Sequence, residues 1–125
     1  MAFNILIVDD SRTIRSVIKK TLQIAEVPCG ELYEAENGQE ALEVMQAHWV
    51  DLVFADINMP VMNGVEMIEQ MAAHDMLRDM PVIIVSTEGS KTRIDDLFAK
   101  GVKAYLRKPI TPEQLRTVIH DVMGE

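Results

Sequence analysis

Three short runs, residues 4–8 (NILIV), 52–55 (LVFA) and 82–85 (VIIV), are almost wholly apolar and rich in β-branched side chains. A strand that is apolar on both faces has to be covered on both faces, which is the situation of a central strand in a parallel sheet. Residues 31–34 and 104–106 are weaker strand candidates. Between the runs lie helical periods. Ile14, Val17, Ile18 and Leu22 form one stripe, with Arg15, Lys19 and Lys20 expected on its opposite face. Ala41, Leu42 and Met45 mark a second helix, and Val65, Ile68, Met71 and Ala72 a third. Ile94, Leu97 and Phe98 suggest a fourth, and Leu115, Val118, Ile119 and Val122 give the clearest stripe of all. Thr111, Pro112 and Gln114 supply that last helix with a cap, a first-turn proline and a capping-box partner. The βα unit thus occurs five times, which predicts an α/β fold: a doubly wound parallel sheet with helices on both faces.

At 125 residues the chain suits one domain, residues 1–125, with enough core to need no covalent staples. Its formal net charge of −8 argues against direct nucleic-acid binding, since both partners would be anionic. Cys29 is the single cysteine, so neither an internal disulfide nor a cysteine-rich metal site is expected. The first apolar run is stopped at once by Asp9 and Asp10, unlike a secretory signal, and no segment has the roughly 20 apolar residues of a membrane span. A cytoplasmic protein without membrane insertion is the expectation.

In open α/β sheets, ligands bind beyond the carboxyl ends of the strands. The first strand ends in Asp9 and Asp10, the third in Asp56 and the fourth in Ser86 and Thr87, while Lys108 and Pro109 follow the fifth. Adjacent central strands would gather these residues at one edge. Clustered carboxylates repel unless a cation or proton intervenes, and a hard divalent ion such as Mg²⁺ suits oxygen donors. Lys108 can pair with a carboxylate or phosphoryl oxygen, and Ser86 can donate a hydrogen bond to one. Such a set fits phosphoryl transfer, in which positioning and charge neutralisation supply most of the catalysis.

With these residues in place, the chain resembles the receiver domain of two-component response regulators, and in particular single-domain chemotaxis-type members. The resemblance rests on five blocks in order: IVDDS at residues 7–11, AENGQEAL at 35–42, DINMPVMNG at 56–64, Val85-Ser86 and Lys108-Pro109. It implies a (βα)5 flavodoxin-like fold with strand order 2-1-3-4-5. It also implies a signalling switch rather than a conventional enzyme, one that catalyses its own phosphorylation and dephosphorylation. Asp56 would accept a phosphoryl group from the phosphohistidine of a sensor histidine kinase. Asp10 and Asp56 would bind Mg²⁺ (with Mn²⁺ as a substitute) through their carboxylates, Asn58 through its backbone carbonyl, and Asp9 through metal-bound water. Lys108 would contact the phosphoryl group and Ser86 would report it, with Tyr105 as the aromatic switch. A cis peptide is expected before Pro109.

Ser86 stands where the family most often has Thr, and Thr87 where many members have Ala or Gly, which would narrow access to the phosphoryl group. Asn58 and Glu88 occupy the positions that tune self-dephosphorylation, in the chemotaxis-type combination, so a short-lived phosphoryl group is expected. No effector domain is expected after the last helix. Output to a protein partner would then use the surface from the fourth helix to the fifth, which includes Arg93 and Tyr105, in chemotaxis-like or adaptor signalling. Either a monomer or a phosphorylation-dependent dimer is compatible with this. A phosphorelay intermediate and, in another class, a phosphohydrolase are the alternatives; for the second, Asn58 stands where a second catalytic Asp is wanted.

Blander readings accompany these. Asp9 and Asp10, taken alone, suit a solvated loop or helix cap. Arg12, Arg15, Lys19 and Lys20 are either a solvated helix face or a docking surface for the kinase's phosphotransfer domain, Arg15 and Lys19 in particular. His48, His74 and His120 are too scattered for a metal cluster. Trp49 precedes the third strand, at the end away from the pocket.

Overall fold

In a computed structural model, residues 2–87 and 89–124 are described. Strands and helices alternate as β1 (Phe3–Val8), α1 (Arg12–Ile24), β2 (Cys29–Ala35), α2 (Gly38–Ala47), β3 (Leu52–Ala55), α3 (Gly64–Ala72), β4 (Val82–Ser86), α4 (Lys91–Ala99), β5 (Ala104–Arg107) and α5 (Pro112–Met123). All strand pairs are parallel, in the order β2-β1-β3-β4-β5. The expected flavodoxin-like architecture is the one observed.

Alternation along the strands sends side chains to two separate cores. Ile5, Ile7, Phe54, Ile83 and Val85 pack with Ile18 and Leu22 of α1 and Leu115, Val118 and Ile119 of α5. Leu6, Val8, Val53, Ala55 and Ile84 pack on the other face with Leu42 and Met45 of α2, Met67, Ile68 and Met71 of α3, and Leu97 of α4. Each helix starts on a side-chain cap: Ser11, Asn37, Asn63, Ser90 and Thr111. Thr111 and Gln114 form the expected capping box, and Asn63 and Glu66 form a second.

β2 starts earlier than its residues suggest. It is an edge strand whose first residues, the half-buried Cys29 and the exposed Gly30, carry little hydrophobic signal, and pairing with β1 from Phe3↔Cys29 to Val8↔Ala35 defines its length. A second departure is in α1. Arg15, expected on the solvated face, is buried, whereas Val17 of the expected apolar stripe is 49% exposed. The buried face follows Arg15, Ile18 and Leu22, spaced by three and four residues. The guanidinium is tolerated there because it is paired: Nε donates to Glu34 Oε1 at 2.9 Å, and Nη1 donates to the Asp9 carbonyl at 2.6 Å. Lys19 Nζ donates to the other Glu34 oxygen at 2.9 Å.

At the entry to α3, Gly64 N–H donates to the Ile57 carbonyl at 2.8 Å. A Cβ on Gly64 would overlap the Asp56 carbonyl oxygen and press on the Ile57 Cα. Both are backbone atoms and cannot swing aside. Gly64→Ala is therefore expected to cost about 2 kcal/mol through overpacking, read as a lowered midpoint in urea unfolding.

The hydrogen bond from Lys19, joined by that from Arg15, holds the Glu34 carboxyl below its ordinary value against the opposing effect of burial. A depressed carboxylate stabilises the fold above its unfolded pKa and loses that contribution as pH falls through its folded pKa. With Glu34 partly exposed, Glu34→Gln should cost about 1 kcal/mol at neutral pH. The gap from the natural chain should close as the pH drops below 4.5, the ordinary value, in paired unfolding curves.

Candidate functional site

β1 lies between β2 and β3, so the winding of the sheet reverses beside it, and the crevice at the carboxyl ends of β1 and β3 is where such folds bind ligands. Asp9 and Asp10 leave β1 there and Asp56 leaves β3. The Asp56 N–H donates to the Val8 carbonyl at 3.0 Å, which continues the β1–β3 ladder to Asp56 itself. Oxygens from Asp9, Asp10 and Asp56 all lie within 4.8 Å of one another. Asp9 is buried, Asp56 is half-buried and Asp10 is exposed.

Lys108 comes to this cluster from the far side of the sheet. Its backbone N–H donates to the Ser86 carbonyl at 2.9 Å, extending the β4–β5 pairing, and the Lys108-Pro109 peptide is cis, as expected. Its ammonium donates to Asp9 Oδ2 at 2.9 Å and Asp56 Oδ2 at 3.1 Å. Burial alone would lower the Lys108 pKa, but the two carboxylates outweigh it and hold the ammonium above the ordinary lysine value. The lysine is therefore charged across the neutral range. The other oxygen of Asp56 accepts the Ile57 N–H at 2.7 Å, and the other oxygen of Asp9 accepts the Ser11 N–H at 2.9 Å.

One ammonium does not neutralise three carboxylates, and the shortfall is an all-oxygen donor set of the kind a hard divalent ion prefers. Of the other expected site residues, Ser86 is fully buried at the end of β4, and Asn58 is exposed just past Asp56. Tyr105 lies half-buried on the α4 side of the sheet, paired in register with Ile84, and its hydroxyl is buried with no hydrogen-bond partner among the described residues. Arg93 is half-buried in the first turn of α4. Glu88 lies outside the described residues.

Sequence alone did not assign Arg15 to this neighbourhood. Its spacing to Ile18 and Leu22 carried the signal, but its charge pointed to solvent. A groove of about 770 Å³ lies at the opposite edge and is lined by His48, Trp49, Asp51, His74 and Met76 among others. Trp49 is 77% exposed there, away from the carboxylates as expected. Among the described residues, the group of three metal-ligating side chains is the one in the acidic crevice, not in this groove.

Comparison with known proteins agrees with this geometry. The family model of the response regulator receiver domain matches residues 5–120. A chemotaxis protein CheY homolog of Campylobacter jejuni is 39% identical over 121 residues, covering 96% of this chain and 92% of the relative. The crystal structure of Vibrio cholerae chemotaxis protein CheY4 superposes with a TM-score of 0.85 at 33% identity, over 98% of this chain and 99% of that one. The fold is shared, at 20% identity and a TM-score of 0.85, with the receiver domain of a Pseudomonas aeruginosa sensor histidine kinase over the full length of both chains. That protein holds a magnesium ion in its active site cleft. The chain belongs to the response regulator receiver domain family, and within it to the chemotaxis-like members.

Proposed function

We propose that Asp56 is the phosphoryl acceptor of this receiver and that a sensor histidine kinase is the donor. The Lys108 ammonium, bridging Asp9 and Asp56 beside three clustered carboxylates, is the observation that carries the reading. In the transfer, an Asp56 carboxylate oxygen forms a bond to phosphorus as the bond from phosphorus to the donor's imidazole nitrogen breaks. The electron pair leaves with the imidazole. Asp56 suits this role because it is half-buried, held on its strand and accessible from the crevice.

Lys108 already touches the Asp56 oxygen, so a short movement would bring its charge onto the phosphoryl group. The Ser86 hydroxyl, at the end of the adjacent β4, would donate to a phosphoryl oxygen. Asp10, Asp56 and the Asn58 backbone carbonyl are the groups that would hold Mg²⁺, with Asp9 acting through metal-bound water. The ion, when bound, would neutralise charge on the transferring phosphoryl oxygens.

The output follows from the same edge. An unpartnered buried hydroxyl costs roughly 1–3 kcal/mol. The Tyr105 hydroxyl would gain a partner if the end of β4 moved toward a phosphoryl group, which biases two arrangements of the surface formed by α4, β5 and α5. Arg93 and Tyr105 belong to that surface, through which the protein would engage its output partner in chemotaxis-like signalling in the cytoplasm. No described helix is long and apolar enough to cross a membrane. Kinase docking would use the exposed cations of α1, Arg12 and Lys20, with the partly exposed Lys19. Arg15 is buried and ion-paired, so its charge is not available to a docking partner.

With Mg²⁺ and a small acyl phosphate as donor, intact-mass measurement should show uptake of one phosphoryl group, and Asp56→Asn should abolish it. With Asn58 and Glu88 at the tuning positions, the phosphoryl group should decay within seconds to minutes. Uptake by the Asp56→Asn variant would contradict the assignment of the acceptor, and survival for hours in Mg²⁺ would contradict the assignment of the tuning pair.

A further inference from the structure

Asp9 has every hydrogen-bonding atom engaged. Its N–H donates to the Ala35 carbonyl at 3.1 Å, Oδ1 accepts the Ser11 N–H, and Oδ2 accepts the Lys108 ammonium. The remaining atom is its backbone carbonyl, which accepts Arg15 Nη1 at 2.6 Å. That carbonyl lies in the same rigid peptide plane as the Asp10 N–H. Fixing its direction fixes the plane from which the Asp10 Cα and carboxylate depart. Asp10 is exposed, so the peptide plane is a main constraint on where its carboxylate points.

The clamp is itself anchored. Arg15 is 7% exposed and cannot swing into solvent without leaving a buried space. Its Nε is held by Glu34 Oε1, and Glu34 is held in turn by Lys19 and by its place opposite Ile7 in the β1–β2 ladder. A chain of contacts thus runs from the surface of α1 and the edge strand to the peptide that presents Asp10.

We propose that Arg15, braced by Glu34, is a positioning residue for the metal-binding loop: it sets the Asp9–Asp10 peptide so that the Asp10 carboxylate meets those of Asp9 and Asp56. This rests on the receiver reading above. Charge and geometry make opposite forecasts, which makes the claim testable. As a mere positive charge near the crevice, Arg15 would oppose a divalent cation, and its removal would tighten binding. As a clamp, its removal loosens binding, and loss of a group that orients a metal ligand typically costs about tenfold or more in affinity.

The test is calorimetric titration of the full chain with Mg²⁺ alone, together with hydrogen exchange at the Ser11 amide, for Arg15→Met and Glu34→Gln. Circular dichroism would check that each variant is folded. Arg15→Met should weaken Mg²⁺ binding about tenfold or more. Glu34→Gln, which keeps the bond to the Asp9 carbonyl but loosens its brace, should weaken binding by a smaller factor in the same direction. The Ser11 amide should exchange faster in both. If Arg15→Met does not fold, the Ser11 exchange rate of Glu34→Gln decides, because loss of its negative charge would weaken Mg²⁺ binding on electrostatic grounds alone, whereas unchanged exchange would overturn the clamp. Mg²⁺ affinity that is unchanged or tighter in the folded variants would overturn the proposal while leaving the receiver reading intact. Failure of the natural chain to bind Mg²⁺ would overturn both.

Discussion

The contact between the Lys108 ammonium and the carboxylates of Asp9 and Asp56 is the interaction on which the rest of the site depends. The two contacts, at 2.9 and 3.1 Å, join residues 99 and 52 positions apart in the chain. Only the sheet order makes this possible, because β1, β3, β4 and β5 are successive neighbours and their carboxyl ends share one edge. Three carboxylates held so close would otherwise push the loops apart. The lysine relieves part of that repulsion, and the remaining negative charge leaves a demand that a further cation would meet. Fold and site are thus one problem: the apolar strands fix the order, and the order fixes the electrostatics.

Much of this was legible in the sequence because the signals were strong and local. Strands such as 82–85 are apolar throughout, so their central place in a parallel sheet follows from the need for cover on both faces. The polar residues that end them then fall at the edge where ligands bind, without any appeal to distance. The capping box of α5 was equally plain, since Thr111 and Gln114 bond to backbone groups within one turn.

The misread features depend on partners far away in the chain. Cys29 joins β2 through its pairing with Phe3 of β1, with Gly30 next to it, and no local pattern reveals this. Arg15 was assigned to solvent because burying a guanidinium is costly, and the cost is met by Glu34 and the Asp9 carbonyl, nineteen and six positions away. The Tyr105 hydroxyl, without a hydrogen-bond partner among the described residues, is also invisible locally. Each depends on how two elements meet. Arg15 links the crevice to α1 and β2, and Tyr105 packs on the α4 side of the sheet.

The lysine's role can be separated from the metal's. Lys108→Met removes a cation that competes for the Asp9 and Asp56 oxygens, so Mg²⁺ should bind the variant at least as tightly as the natural chain. Phosphoryl uptake on Asp56 from a small acyl phosphate should nevertheless fall by about a hundredfold, as expected when a charged donor to a transition state is removed. The decisive measurement is therefore the rate of uptake by Lys108→Met at saturating Mg²⁺, set beside its Mg²⁺ affinity. Slow uptake with undiminished Mg²⁺ binding is the predicted result. Uptake at the natural rate would contradict the central role of the bridge between Lys108, Asp9 and Asp56.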